Sequence, residues 1–278
     1  MNIRPRVLPP GWYPETRTET ERTIARYLKD IPEKAGRATA GVAPHAGWEF
    51  SGRIALRVFL SLEKDADTVV IVGGHLHASE GVLAAFEDGY DTPLGALGAD
   101  LGLLEEMKGE IDLGEDRYSD NTVEVQLPFV RYLFPKSQAL SLRASPSGVA
   151  VDLGKAIREA ARALKKKVVV VGSTDLTHYG SNYGFAPEGR GERALRWVKE
   201  VNDRGFIDNL LAMDAEGALE HARENHSACS AGGAVSALAF AHQAGVERGR
   251  LLEYSTSYDI HPSESFVGYA GIVFDPPG

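Results

Sequence analysis

Thr68-Val69-Val70-Ile71-Val72 is the stretch that decides the fold class. This continuous apolar run, rich in β-branched residues, is typical of a strand buried on both faces of a sheet. Val168-Val169-Val170-Val171 is a second such run, and Ala40-Gly41-Val42 is a weaker third. Residues 266–274 have the pattern of a long final strand. Together these runs predict a central, mostly parallel sheet.

Helical segments lie between the predicted strands. Residues 53–60, 153–164 and 233–240 have helical composition, and the last is rich in small residues suited to close packing on a sheet. Strands alternating with helices are typical of α/β proteins. The sequence therefore predicts a single α/β domain over residues 1–278, with an exposed loop at 180–191.

Composition narrows the classes of function. The net charge of -9 argues against nonspecific nucleic-acid binding, which needs a basic surface. No apolar run approaches the roughly 20 residues that span a bilayer, and the first six residues lack the apolar stretch of a secretory signal. The single cysteine is compatible with a reducing compartment. We expect a cytoplasmic protein that binds neither nucleic acid nor membranes.

Side chains able to bind a metal follow three of the predicted strands. Gly73-Gly74-His75-Leu76-His77 follows the first run, Asp175 and His178 follow the second, and His45 follows the weaker third. Ligand sites in open α/β sheets collect at the carboxyl ends of strands. If the chain stays extended, His75 and His77 share a face. These segments are expected to meet in one cleft.

The only cysteine, Cys229, adds a sulfur atom to this set. Imidazole nitrogen, thiolate sulfur and carboxylate oxygen are the side-chain atoms that bind transition metals. A mononuclear metal site is therefore the leading hypothesis.

Each residue also has a structural interpretation. A lone buried cysteine usually behaves as a small hydrophobic residue, and Asp175 could simply cap a helix. His178 could be a packing partner of the same turn. We interpret His221 and His242, which lie on predicted helices, as structural.

The chain resembles the Memo family, which includes the prokaryotic proteins called AmmeMemoRadiSam system protein B. The resemblance rests on motifs that run in family order across nearly the whole chain. They are Gly11-Trp12-Tyr13-Pro14, Ala43-Pro44-His45-Ala46-Gly47, Glu124-Val125-Gln126-Leu127-Pro128, Ser173-Thr174-Asp175-Leu176-Thr177-His178-Tyr179-Gly180, the Cys229 segment, Tyr254-Ser255-Thr256-Ser257 and Val267-Gly268-Tyr269-Ala270.

The resemblance implies a fold similar to the catalytic subunit of class III extradiol dioxygenases, which are non-haem iron enzymes. It also implies metal ligands at His45, His77 and Cys229, with His77 preferred over His75 by alignment to the family's His-His pair. Iron(II) is the expected metal, and copper or zinc are alternatives because thiolate is a softer ligand than carboxylate. Ring cleavage does not follow from the fold.

The chain departs from the family pattern at two places near the expected site. The paired histidines are separated in His75-Leu76-His77, and a histidine common before Glu-x-Gln-Leu-Pro is replaced by Asn121. His75 and Asn121 are therefore additional candidate residues of the cleft.

The expected function is dioxygenase-like redox chemistry on a small molecule bound in the metal cleft. His178 would move protons because its reference pKa lies near neutrality. Asp175 would orient His178 or a metal-bound water. Glu124 would contact the ligands without binding the metal itself, and so help to hold them in place.

Two other functions stay open. A protein- or peptide-binding module could retain an enzyme-like cleft, lined by Trp12, Trp48 and Tyr179. The family resemblance further suggests a protein partner of the radical-SAM type. The second of these functions is that of a zinc-dependent hydrolase.

Overall fold

The two valine-rich runs form neighbouring strands at the centre of the protein. The computed structural model describes residues 2–32, 36–118 and 120–277. Val168–Ser173 pairs in parallel with Thr68–Gly73, with Val70 opposite Val170. All six residues of each strand are buried, as predicted for strands that are covered on both faces.

The described ranges contain twelve strands. They are β1 (Ile3–Arg4), β2 (Ala40–Ala43), β3 (Thr68–Gly73), β4 (Val82–Ala84), β5 (Gly89–Tyr90), β6 (Leu97–Gly98), β7 (Gly114–Glu115), β8 (Gln138–Ala144), β9 (Val168–Ser173), β10 (His178–Tyr179), β11 (Arg250–Thr256) and β12 (Phe266–Phe274).

Nine of these strands form one mixed sheet in the order β10-β12-β2-β9-β3-β8-β4-β7, with β11 also paired to β12. The four central strands, β2, β9, β3 and β8, are parallel. Antiparallel pairing occurs between β12 and each of β2, β10 and β11, and between β4 and β8. The predicted parallel arrangement therefore describes the centre. The short connection from β11 to β12 favours antiparallel pairing at that edge.

Helices cover both faces of the sheet. One hydrophobic core includes residues of the helices Gly148–Ala163 and Ala231–Gln243, and the other includes residues of the helices Arg17–Lys29, Arg53–Ser61 and Leu127–Leu133. The ten α-helices of the described residues are α1 (Arg17–Lys29), α2 (Arg53–Ser61), α3 (Leu101–Met107), α4 (Asn121–Glu124), α5 (Leu127–Leu133), α6 (Gly148–Ala163), α7 (Glu192–Trp197), α8 (Asp203–Leu211), α9 (Ala215–Asn225) and α10 (Ala231–Gln243).

The single-domain α/β class is therefore confirmed, while the assignment of the full range 1–278 to that domain stays a prediction. The helix predicted at 153–164 begins earlier, at Gly148. Helices predicted at 53–60 and 233–240 correspond to α2 and α10. None of the helices in the described ranges combines the length and the apolar character that crossing a bilayer would need.

Glycines let the start of α10 lie unusually close to the sheet. A Cβ atom on Gly172 of β9 would come within 2.3 Å of the Gly233 carbonyl oxygen. A Cβ atom on Gly233 would in turn come within 2.3 Å of the Val72 carbonyl oxygen in β3. Any larger residue would push helix and sheet apart. This close approach brings the segment before α10, which carries Cys229, to the carboxyl ends of β3 and β9.

Candidate metal centre

Two histidines and the cysteine meet at the carboxyl ends of the central strands. His45 follows β2, His75 follows β3, and Cys229 precedes α10. One ligand atom from each residue lies within 4.8 Å of the other two. The His45 Nε2 to Cys229 Sγ distance is 3.2 Å. Zn–N and Zn–S bonds of about 2.1 and 2.3 Å, meeting at 90–110°, separate the two ligand atoms by about 3.1–3.6 Å. The spacing therefore fits a shared metal ion.

His45 is held in the interior with 1% of its surface exposed. Its Nδ1 lies 3.3 Å from the Ser173 hydroxyl oxygen, which also accepts a hydrogen bond from Gln126 Nε2 at 3.1 Å. This contact directs Nε2 toward the site. Burial, with a smaller effect from His75, lowers the pKa of His45 to about 3. The ring is therefore neutral, which is the form that binds metals.

Cys229 lies directly before Ser230, the N-cap residue of α10. Its backbone N–H donates to the Asp175 carbonyl oxygen at 3.2 Å, and this bond holds the sulfur near His45. Burial, reinforced by the Asp175 carboxylate, raises the pKa of the Cys229 thiol. The sulfur therefore keeps its proton until a cation replaces it.

His75 completes the group from the exposed side. Its backbone adopts a left-handed conformation with φ of 59°, two residues after β3 ends at Gly73. Its ring packs edge-on against His45 with 5.0 Å between ring centroids. Its Nδ1 lies 3.2 Å from Asp120 Oδ2. Hydrogen bonds from His75 and Thr122 outweigh the effect of burial and lower the pKa of Asp120 to about 2.

The group of donors in the structure contains His75, whereas the predicted ligand set contained His77. His77 is exposed and lies outside the group of donors. Its backbone N–H donates to the Glu80 carboxylate, and its carbonyl accepts a hydrogen bond from the Ser145 hydroxyl at 2.7 Å. The prediction that both histidines share a face assumed an extended chain, and the left-handed turn at His75 removes that condition.

Asp175 and His178 line the cleft beside the donors and form hydrogen bonds to other partners, and the role of Asp175 in orienting His178 or a metal-bound water stays a prediction. Asp175 Oδ1 accepts the His45 backbone N–H at 2.7 Å. His178 Nδ1 lies 3.1 Å from the Leu176 carbonyl oxygen, which can only accept, so Nδ1 carries the proton and Nε2 the lone pair. Burial raises the pKa of Asp175 to about 6 and lowers the pKa of His178.

The two candidate residues of α4 have separate roles. Asn121 lines the cleft and donates to the His45 carbonyl oxygen at 3.2 Å. Glu124 instead binds the N-terminal segment, accepting hydrogen bonds from the Val7 and Leu8 backbones and from the Tyr13 hydroxyl. Glu124 therefore anchors the N-terminal segment, and its predicted support of the ligands stays a prediction.

Two of the three donors, His45 and His75, line an open cleft of about 980 Å³, part of which is open to solvent. Of the three aromatic residues proposed to line a cleft, only Trp12 does so. Trp48 is buried in a stack on Phe129, and Tyr179 is buried against Phe266. The lining residues are Trp12, His45, Ala46, Gly47, Phe50, His75, Asn121, Asp175, His178, Tyr183, Ser257, His261, Ser263, Ser265, Val267 and Tyr269.

Sequence reasoning missed three residues of the site. Asp120 contacts His75, Ser173 contacts His45, and Tyr183 packs edge-on against His178 with 5.0 Å between ring centroids. Ser173 directly follows a predicted strand, so its position was an available signal. Asp120 is the N-cap residue of the four-residue helix α4, and Tyr183 ends the short 3-10 helix Ser181–Tyr183; elements this short carry too little periodic pattern to be recognised from sequence.

Known proteins resemble this chain over nearly its whole length. A family model described as Memo-like protein matches residues 4–273. MEMO1 family protein TK1477 of Thermococcus kodakarensis is 38% identical over 269 residues, which cover 90% of this chain and 92% of that protein. A MEMO1 family protein of Thermococcus onnurineus is 35% identical, over 95% of this chain and 96% of that protein.

A solved structure shares the fold at low sequence identity. The crystal structure of uncharacterized protein JW3007 from Escherichia coli K12 matches with a TM-score of 0.55 and 12% identity, over 86% of this chain and 100% of that chain. At this identity the likeness shows the fold alone.

Proposed function

The chain belongs to the Memo family, and from that premise we propose that it binds one metal ion and performs redox chemistry on a small molecule. The proposed ligands are His45, His75 and Cys229. Iron(II) is the proposed metal, with copper and zinc as alternatives. His178 and Asp175, beside the ligands, are the proposed catalytic residues.

The contact between His45 Nε2 and Cys229 Sγ at 3.2 Å carries this proposal. It joins a buried neutral imidazole to a sulfur from a distant part of the chain, with the His75 ring close by. Structural zinc sites usually have four protein ligands, whereas catalytic sites have three and keep a position open. A group of three donors, two of which line an open cleft, fits the catalytic type.

The chain's own residues supply binding and proton transfer. Bound iron(II) would contribute a redox-active Lewis acid. His45 offers its Nε2 lone pair without losing a proton, while Cys229 must release its thiol proton when a metal binds. His178 can accept a proton at Nε2, because the Leu176 carbonyl already engages Nδ1. Asn121 and Asp175 hold the His45 backbone in place.

The lining of the cleft supports a small, uncharged substrate. The described residues that line it include no lysine or arginine, so an anionic group would find no cationic side chain of these two types there, and the proposed metal ion would be its main positive partner. Trp12, Phe50, Tyr183 and Tyr269 offer aromatic surface, and three serine residues offer hydroxyls. A volume of this order is typical of small-molecule sites. A neutral planar molecule therefore suits this surface.

Elemental analysis of protein purified without oxygen tests the proposal. We expect near-stoichiometric iron in the wild type and little in His75→Ala or Cys229→Ala. His77→Ala is the matched control, because this exposed histidine lies two residues from His75 but outside the group. Loss of metal in His77→Ala with retention in His75→Ala would contradict the ligand set.

Other results would favour the alternative functions. Zinc together with activity that is indifferent to oxygen would favour a hydrolase. Absence of metal from the wild type, even after reconstitution, would favour a protein- or peptide-binding module. A radical-SAM partner remains a prediction, and copurification with such a protein would test it.

A further inference from the structure

We propose that Asp120 is a positioning residue that fixes the ring orientation and the tautomer of His75 for metal binding. This inference rests on the proposed function, because it concerns the same metal centre. It adds a residue that does not itself bind the metal.

The two oxygens of the Asp120 carboxylate have different partners. Oδ1 accepts the Thr122 backbone N–H at 2.7 Å and so caps α4. Oδ2 lies 3.2 Å from His75 Nδ1. An ionised carboxylate can only accept hydrogen bonds, so Nδ1 must carry the proton and Nε2 must carry the lone pair. This is the tautomer that leaves Nε2 available to a metal.

Asp120 is in turn held from the interior by Arg143. The guanidinium Nη1 lies 3.5 Å from Asp120 Oδ2, and Arg143 also forms a two-pronged ion pair with Asp116. Both members of that pair are buried, and Arg4 donates to the Asp116 carbonyl oxygen at 2.8 Å. An exposed histidine is thus connected through one carboxylate to a rigid, buried group of charges.

The other histidine shows why His75 needs this support. The His45 ring is almost completely buried, and its Nδ1 contacts the neutral hydroxyl of Ser173. His75 is exposed and lies after the end of β3, so fewer neighbours restrain its side chain. A charged acceptor forms a stronger hydrogen bond than a neutral one and compensates for the missing packing.

Asp120→Asn tests the proposal with little change in shape. Asparagine is also a good N-cap residue, so its oxygen can keep the bond to Thr122. Its amide N–H₂ group would then face His75 Nδ1 and donate to it, which moves the ring proton to Nε2 and blocks the metal. We expect iron(II) affinity, measured anaerobically by chelator competition, to fall 10- to 100-fold.

Asp214→Asn is the matched control. Asp214 caps α9 by accepting the Gly217 backbone N–H at 2.9 Å, and no histidine contact is recorded for its side chain among the described residues. The same substitution there should leave iron(II) affinity unchanged. An equal loss of affinity in both variants would show a general effect of cap replacement and would overturn the proposal.

Nitrogen-15 NMR of the metal-free protein provides a readout that is independent of the metal. We expect His75 to carry its proton on Nδ1 in the wild type and on Nε2 in Asp120→Asn. An unchanged tautomer, or iron(II) affinity within twofold of the wild type, would overturn the role of Asp120. If the wild type binds no metal, the proposed function fails by itself, and NMR still decides whether Asp120 fixes the His75 ring.

Discussion

The ring centroids of the two histidines of the candidate metal centre lie 5.0 Å apart, yet different forces hold the two rings. His45 is 1% exposed and is fixed by packing and by hydrogen bonds from neutral groups around its ring. His75 is exposed, adopts a left-handed backbone conformation and contacts the carboxylate of Asp120. We call the surroundings of His45 and Cys229 the buried half of the site, and those of His75 and Asp120 the exposed half.

The two halves differ in how they change the pKa of a carboxyl group. In the buried half, burial raises the pKa of Asp175, which accepts the His45 backbone N–H, to about 6. In the exposed half, the pKa of Asp120 is lowered to about 2. In the buried half, desolvation disfavours the ionised carboxylate. In the exposed half, hydrogen bonds to the ionised carboxylate have the larger effect and stabilise it. Packing therefore positions the buried half, and charge positions the exposed half.

The largest expected effect separates the two histidines. His45→Ala and His75→Ala should each weaken iron(II) binding more than 100-fold, because each removes a proposed ligand. Only His45→Ala should also lower the free energy of unfolding of the metal-free protein, by about 1–3 kcal/mol, because it leaves a buried cavity. Chelator competition and urea unfolding measure the two effects. Equal destabilisation by both variants would remove the distinction between the halves.

The next effect concerns the pH dependence of stability. It depends on Asp203, a buried carboxyl group that accepts hydrogen bonds from Thr177 and Tyr254. The folded-state pKa of Asp203 is about 7 and its ordinary value is 3.8, so unfolding releases a proton between these pH values. The contribution of Asp203 to stability is therefore greatest below pH 4 and is lost as pH rises toward 7. Relative to Asp203→Asn, the wild type should lose on the order of 2 kcal/mol of unfolding free energy between pH 5 and 7.

Urea unfolding of the metal-free wild type and Asp203→Asn at several pH values measures that difference. Tyr254 is the other titratable group in contact with Asp203, and burial raises its pKa well above this range. Its ionisation therefore does not contribute between pH 5 and 7. A constant difference between the two proteins across this range would show that Asp203 is already ionised in the folded state.

The smallest effect tests the close packing that places Cys229. Gly233→Ala should lower the free energy of unfolding by about 1–3 kcal/mol, because the new Cβ atom would overlap the Val72 carbonyl oxygen. Gly148→Ala is the control, since no atom lies within 4 Å of its Cβ position at the start of α6. It should be neutral or stabilising by up to about 1 kcal/mol. Thermal unfolding that ranks the variants oppositely would contradict the role of Gly233.

Local pattern was sufficient to predict the central strands and several helices. Thr68–Gly73 and Val168–Ser173 were recognisable because strands buried on both faces are continuously apolar. The antiparallel edges were not predicted, since β10 has two residues and its pairing with β12 depends on contacts between distant parts of the chain. Short strands carry too little pattern to be recognised alone.

The same reasoning separates what was predicted correctly in the cleft from what was not. His45 and Asp175 directly follow buried strands or lie close to their ends, so their placement near the cleft followed from the chain order. The choice between His75 and His77 did not, because it depends on one left-handed residue. The role of Glu124 was also inaccessible, since its partners lie more than 100 positions away, at Val7, Leu8 and Tyr13.

The amino-acid sequence by itself determined the α/β class, the family and the types of donor atom in the cleft. These depend on local hydrophobic pattern and on residue chemistry, which are visible without coordinates. Only the tertiary structure decided that His75 lies in one group with His45 and Cys229, and that the Asp120 carboxylate contacts the His75 ring. The reason is physical: the position of a loop side chain depends on backbone dihedral angles and on contacts between distant segments, and neither leaves a periodic trace in the sequence.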